Sequence, residues 1–261
     1  VVACPDTMAS WVRLEATKLS PRAWDGKFGL ELAEIIIFKG QENIALHCPV
    51  TASSAEPRGG AREMRFLVDG FTPYLMDAAQ GEQSIAMVSD VGIGEHPWIE
   101  IDLGSILPIN RLHFHDTDLS ETVPQANDAD YGIPRLMRVQ GSKMPDFSNS
   151  VLLAEYRVES IYDTGPIITL QFPETDCRFI RLTADEPYIN SLVERKGSQI
   201  GIAEIEVFSH GCNVAINKKI TASFTIKDRG RQFSAITDGR NLYGKILSMR
   251  DWLDQLARRH D

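Results

Sequence analysis

The chain repeats itself once at long range, and this limits what it can fold into more than any other feature. Pro5-Asp6-Thr7 and Trp11-Val12-Arg13-Leu14 return as Pro173-Glu174-Thr175 and Phe179-Ile180-Arg181-Leu182. Leu32-Ala33-Glu34-Ile35, closed by Phe38, returns as Ile202-Ala203-Glu204-Ile205, closed by Phe208. Asn43-Ile44-Ala45, Thr51-Ala52-Ser53 and Val68-Asp69-Gly70 return as Asn213-Val214-Ala215, Thr221-Ala222-Ser223 and Thr237-Asp238-Gly239. The offset stays between 168 and 170 residues, which is the spacing of domains and not of solenoid turns. The order of the matches divides the chain into the end of one unit (1–41), a whole unit (42–211) and the start of another (212–261). This predicts a stretch of a longer tandem array. The alternative is a split domain, with 1–41 and 212–261 packed together and the whole unit inserted between them. A partial unit alone would leave sheet edges and half a core exposed.

Within the whole unit the periodicity is that of strands. Residues 98–103 alternate and stop at Gly104. Residues 110–115 alternate again, with Leu112 and Phe114 on one face and Arg111, His113 and His115 on the other. Further strands are expected at 136–140, 151–158, 167–172, 179–183 and 202–208. Polar connections rich in Gly, Pro, Asp and Asn separate them, the longest at 116–132. Many short strands without βα alternation predict an all-β sandwich or barrel. One helix is expected at the end, where Ser248 can cap residues 251–257 with Trp252, Leu253 and Leu256 on one stripe.

Composition excludes several classes. With 36 acidic and 27 basic residues the formal charge is -9, and only the short tail 257–260 is locally basic, so a nucleic-acid partner is not expected. The apolar run 35–38 is too short to span a bilayer, and no signal peptide is visible. The cysteines at 4, 48, 177 and 212 have no CxxC spacing. Cys48 and Cys212, near the two ends of the whole unit, are a candidate disulfide; free buried thiols are the alternative. There is no HExxH, GxSxG or phosphate-cradling glycine loop. Nothing orders Cys177 with a base, or a carboxylate pair as a glycosidase dyad, so the chain is expected not to be an enzyme.

The motifs Asn43-Ile44-Ala45, Val50-Thr51-Ala52-Ser53, Leu67-Val68-Asp69-Gly70, Trp98-Ile99-Glu100-Ile101-Asp102-Leu103-Gly104, Val139-Gln140-Gly141-Ser142, Arg178-Phe179-Ile180-Arg181-Leu182 and Ile202-Ala203-Glu204-Ile205-Glu206-Val207-Phe208 follow one another in register. In this order they resemble the coagulation factor 5/8 C-type, or discoidin, family. That family is similar to the family 32 carbohydrate-binding modules of the galactose-binding-like superfamily. The resemblance implies a jelly-roll β-sandwich, a non-catalytic binding role and a ligand site in the loops at one end. It also implies an extracellular or cell-envelope setting within a larger multidomain protein. Carbohydrate is the expected ligand class; a structural or protein–protein interaction domain that has lost the sugar site is the alternative, since fold does not fix function.

Two sets of site residues follow. The resemblance implies a structural calcium site between Asp69, in the early Asp-Gly turn, and the late Glu204, with Thr72 and Asp77 adding oxygen ligands. The Thr-x-Trp that commonly follows in sugar-binding relatives is absent at Thr72-Pro73-Tyr74. For the glycan, aromatic rings, amides and carboxylates suit sugar faces and hydroxyls. These single out Tyr74, Asn127, Asp128, Tyr131, Arg178 and Tyr188, with Trp24 as a further contact. Trp98 is expected in the core. The repeat of Arg181 at Arg13, among core-like neighbours, predicts a framework ion pair. His113, His115, Asp116 and Asp118 have the residue types of a zinc site, but the ordinary reading is hydrogen bonding at a strand end.

Overall fold

A computed structural model describes residues 2, 4–40, 42–55, 62–70, 87–90, 92–116, 134–159, 167–190, 197–226, 232–241, 244–248 and 251, with backbone alone at 188–190 and 197. The fold is an all-β, jelly-roll-like sandwich of antiparallel strands, with 3-10 turns at Met64–Leu67 and Phe233–Thr237. Its seven-stranded sheet runs in the order Cys212–Asn213, Glu204–Ser209, Trp98–His115, Ile167–Glu186, Leu136–Ser142, Val151–Arg157, and Lys219–Ala222 also pairs with Trp98–His115.

Two long strands make both layers. The first part of Trp98–His115 lies between Phe179–Thr183 and Lys219–Ala222; its last part lies between Ile167–Gln171 and Glu204–Phe208. The register shifts between Asp102 and Leu107. There Gly104 has φ +85°, a conformation that costs glycine little. The sequence reading ended the strand at this glycine; instead the chain bends and pairing resumes. The segments expected at 167–172 and 179–183 likewise belong to one strand, Ile167–Glu186. Continuous pairing through such a bend leaves no loop signature in the sequence.

The alternation produces the core. Ile99, Ile101, Val139, Ile180 and Leu182 from one half meet Leu112, Phe114, Ile168, Ile205 and Val207 from the other, all buried in one cluster. Gly141 is fixed by close approach, since a Cβ there would lie 2.3 Å from Cys177 Sγ. All four cysteines are free, and Cys48 and Cys212 are exposed and unbonded. The candidate disulfide is therefore corrected, and only Cys177 fits the buried-thiol alternative, its pKa pushed up to about 11 by burial. At the C-terminal side Ser248 Oγ accepts from Asp251 N at 3.1 Å, the expected cap; the rest of the helix expected at 251–257 lies outside the described residues.

The repeat is visible in atomic contacts. Asn43 Oδ1 accepts from Ile37 N and Ala45 N, as Asn213 Oδ1 accepts from Val207 N and Ala215 N. Ile44 N donates to Ile37 O, and Val214 N to Val207 O, each at 2.8 Å. Thr7 and Thr175 cap Pro5 O and Pro173 O at 2.8 and 2.7 Å. Of the two Thr-Ala-Ser segments, the one at 221–223 enters the sheet, while residues 51–53 form no strand.

Candidate functional site

The outer face of the Glu204–Ser209 and Trp98–His115 pair is a buried polar seam. Register sets Glu204 opposite His115, Glu206 opposite His113 and Phe208 opposite Arg111. Side chains of alternate residues therefore share one face. His113 Nδ1 and His115 Nε2 both lie 3.0 Å from Glu206 Oε2. Burial alone would push the Glu206 carboxyl up, but the hydrogen bonds from His113 and His115 hold it well below the usual carboxylate range. Burial lowers His113, and Glu206 opposes that shift. Arg111 stacks on Phe208 at 4.1 Å, its pKa also lowered by burial.

Among the described residues, His113, His115 and Glu206 are a group whose ligand atoms lie within 4.8 Å of one another. Two imidazoles and a carboxylate could hold a metal ion, and nitrogen and oxygen donors suit zinc-type ions better than calcium. The sequence reading paired the histidines with Asp116 and Asp118. Asp118 lies outside the described residues, and the third member is Glu206. Its signal was present: an acid interrupts the apolar run Ile205-Glu206-Val207, where the first copy reads Ile35-Ile36-Ile37. A cavity lined by Asn43, Gly70, Arg111, His113, Glu206 and Ile246 adjoins the seam.

The two Asp-Gly turns bond different glutamates. Gly70 N donates to Glu34 Oε1 at 3.0 Å, and Gly239 N donates to Glu204 Oε1 at 3.0 Å. Each Asp-Gly turn thus meets the glutamate that precedes it by about 35 residues, across the unit boundaries that the repeat suggests. Burial, then the charge of Asp69, pushes Glu34 up to about 8; burial, then the charge of Glu206, pushes Glu204 up to about 10, with Asp238 adding to the effect. In both glutamates Oε2 is buried and has no hydrogen-bond partner among the described residues. Thr72 and Asp77 lie outside the described residues.

Most of the expected sugar contacts, Tyr74, Asn127, Asp128 and Tyr131, lie outside the described residues. Tyr188 is placed by its backbone, pairing with Gln199. Arg178 makes a two-pronged ion pair with Asp102, at 2.8 and 2.9 Å, and packs on Phe179. Arg181 bonds Glu100 at 2.9 Å and lies over the Trp98 and Phe147 rings, which is the expected framework role. Trp24 is exposed, with Arg22 over its ring at 4.6 Å.

One exposed polar group escaped the sequence reading. Asp185 accepts from Arg138 Nε, from Arg138 Nη2 at 2.7 Å, and lies 2.9 Å from His96 Nδ1. Arg138 and His96 are exposed while Asp185 is largely enclosed. Their pairing holds Asp185 below, and Arg138 above, the ordinary values. Nothing in the spacing of 96, 138 and 185 announces them; two strands and a bend bring them together.

No known family profile matches the chain, and no curated protein matches it. Solved structures resemble it in part. The module CpGH89CBM32-5 from Clostridium perfringens, in complex with GalNAc-β-1,3-galactose, is 20% identical over 56% of this chain and 82% of that one, with TM-score 0.34. CBM32-3 from a family 31 glycoside hydrolase of Clostridium perfringens is 14% identical over 54% and 85%, with TM-score 0.36. A putative chitobiase fragment from Bacteroides thetaiotaomicron is 20% identical over 44% of this chain and 62% of its own length, with TM-score 0.33. At such identities and scores the likeness brings no ligand or reaction to this chain.

Proposed function

We propose that the chain is a non-catalytic carbohydrate-binding module. The observation that carries the reading is the His96–Asp185–Arg138 group. It presents N–H donors at the surface, already oriented by one enclosed carboxylate, three residues in sequence from the backbone of Tyr188. Fixed donors at the surface suit sugar hydroxyls, and preorganisation reduces the ordering cost of a weak ligand. Calcium fits the two Glu/Asp-Gly pairs. In each, a buried carboxylate with one unpartnered oxygen adjoins a second carboxylate, and calcium collects such oxygen ligands.

The test is a glycan array with purified chain, run with calcium and with EDTA, beside the His96→Ala and Arg138→Ala variants. Binding of one sugar class, lost in both variants with melting unchanged, is the expected result. Binding that survives both substitutions moves the site elsewhere. Silence from folded protein overturns the carbohydrate reading.

A further inference from the structure

The two repeat copies differ in what covers them. Phe179 and Ile180 are 6% and 0% exposed, while their counterparts Trp11 and Val12 are 82% and 66% exposed. Leu182 is buried; Leu14 is exposed, as are Met8, Trp24, Phe28 and Leu30. Many large apolar side chains left in solvent along one segment point to a missing contact. In the covered copy each partner is known: Phe179 pairs with Asp102, Ile180 with Ile101, Arg181 with Glu100 and Leu182 with Ile99. Arg181 is neutralised by Glu100 at 2.9 Å, whereas Arg13 reaches Glu15 on its own segment at 3.6 Å, with both side chains in solvent.

We propose that residues 5–39 are the closing strands of a second sandwich, and that their partner is another unit of this same repeat. That unit offers a strand of the 98–103 type, apolar at alternate positions and carrying a glutamate opposite Arg13. Residues 34–70 already hold the turn and glutamate contacts of such a unit. What the partner supplies corresponds to residues 71–172, since residues 5–70 answer to 173–239. Charge and pattern select the partner. The site wants a strand edge with one acid among β-branched residues, because an unpaired edge accepts a strand before it accepts a loop.

The experiment places a copy of residues 71–172 ahead of Pro5 in the otherwise complete chain. Hydrogen exchange at 11–14 is expected to slow by about a hundredfold, towards that of 179–182, as for a strand moved from fraying to core. Arg13→Glu in the extended chain reopens that strand, and Glu100→Arg in the added copy closes it again. Unchanged exchange at 11–14, with 179–182 still protected, overturns the proposal. So does Arg13→Glu lowering the melting temperature of the unextended chain as much as Arg181→Glu does, because the strand would then already be partnered. A dimer of the unextended chain that Trp11→Asp dissolves would make a second copy the occupant, and also overturns it.

Discussion

Residues 5–70 and 173–239 carry the same short motifs in two settings. Both make the asparagine turn, the Asp-Gly to glutamate bond and the threonine cap, and in the first copy Asn43 and Gly70 lie against Arg111, His113 and Thr169 of the sandwich. The burial of Ile180, the Arg181–Glu100 pair and the sheet position of residues 219–222 need the Trp98–His115 strand. Sequence writes the local motif; a partner strand decides whether its apolar side contributes to stability.

The sharpest way to break that comparison is one truncation made twice. Ile180→Ala removes buried methyl groups from a packed core and is expected to cost about 2–5 kcal/mol in chemical denaturation. Val12→Ala, at the matching position in solvent, is expected to stay within about 0.5 kcal/mol. Comparable losses at both sites would show that residue 12 is buried in solution.

A second contrast lies where the copies diverge. Glu206 accepts from two buried imidazoles, and Glu206→Gln weakens both bonds, with an expected loss of about 2 kcal/mol. The matching Ile36→Val is expected to cost less than about 1 kcal/mol. A neutral Glu206→Gln would show that the seam is held by packing alone. Zinc added to the parent chain should raise its melting temperature if the His113–His115–Glu206 set holds a metal, and Glu206→Gln should cancel that rise.

Much of this fold was legible because alternation is a direct print of burial on two-sided strands. Leu112 and Phe114 went to the core and Arg111, His113 and His115 to the other face, as their spacing required. What alternation could not show was that this other face is itself covered, by residues near Asn43, Gly70 and Ile246. That covering makes Glu206 a partner of the histidines instead of an exposed acid. The calcium reading joined Asp69 to Glu204 across the whole unit, whereas each glutamate meets the turn that follows it within about 36 residues. Sequence order alone does not say which of two equivalent turns a glutamate meets. The His96–Asp185–Arg138 group was illegible for another reason: its members share no strand and no period.

The last contrast separates the two copies by proton uptake. Glu34 and Glu204 are held above their ordinary value of 4.5 in the folded chain, to about 8 and about 10. A raised carboxyl keeps its proton when folded and releases it when unfolded, so the folded state binds more protons between the two values. Stability therefore falls as pH rises through that window. Glu206, held low, acts in the opposite sense only as pH drops below the ordinary carboxylate range, so a scan upward from about pH 5.5 avoids it. His113, lowered by burial, adds stability as pH rises through its ordinary value of 6.5. Melting temperature is therefore expected to decline from about pH 7 to about pH 9 in EDTA. Glu34→Gln should flatten the lower part of the decline, which ends near 8, and Glu204→Gln the part that continues above it. Saturating calcium should remove the decline belonging to whichever pair binds it, because a cation replaces the proton as the neutralising charge. If calcium flattens the Glu204 part alone, only the copy inside the sandwich makes a cation site, and the local contact shared by both copies is insufficient. If it flattens both, each Glu/Asp-Gly pair carries a cation site of its own.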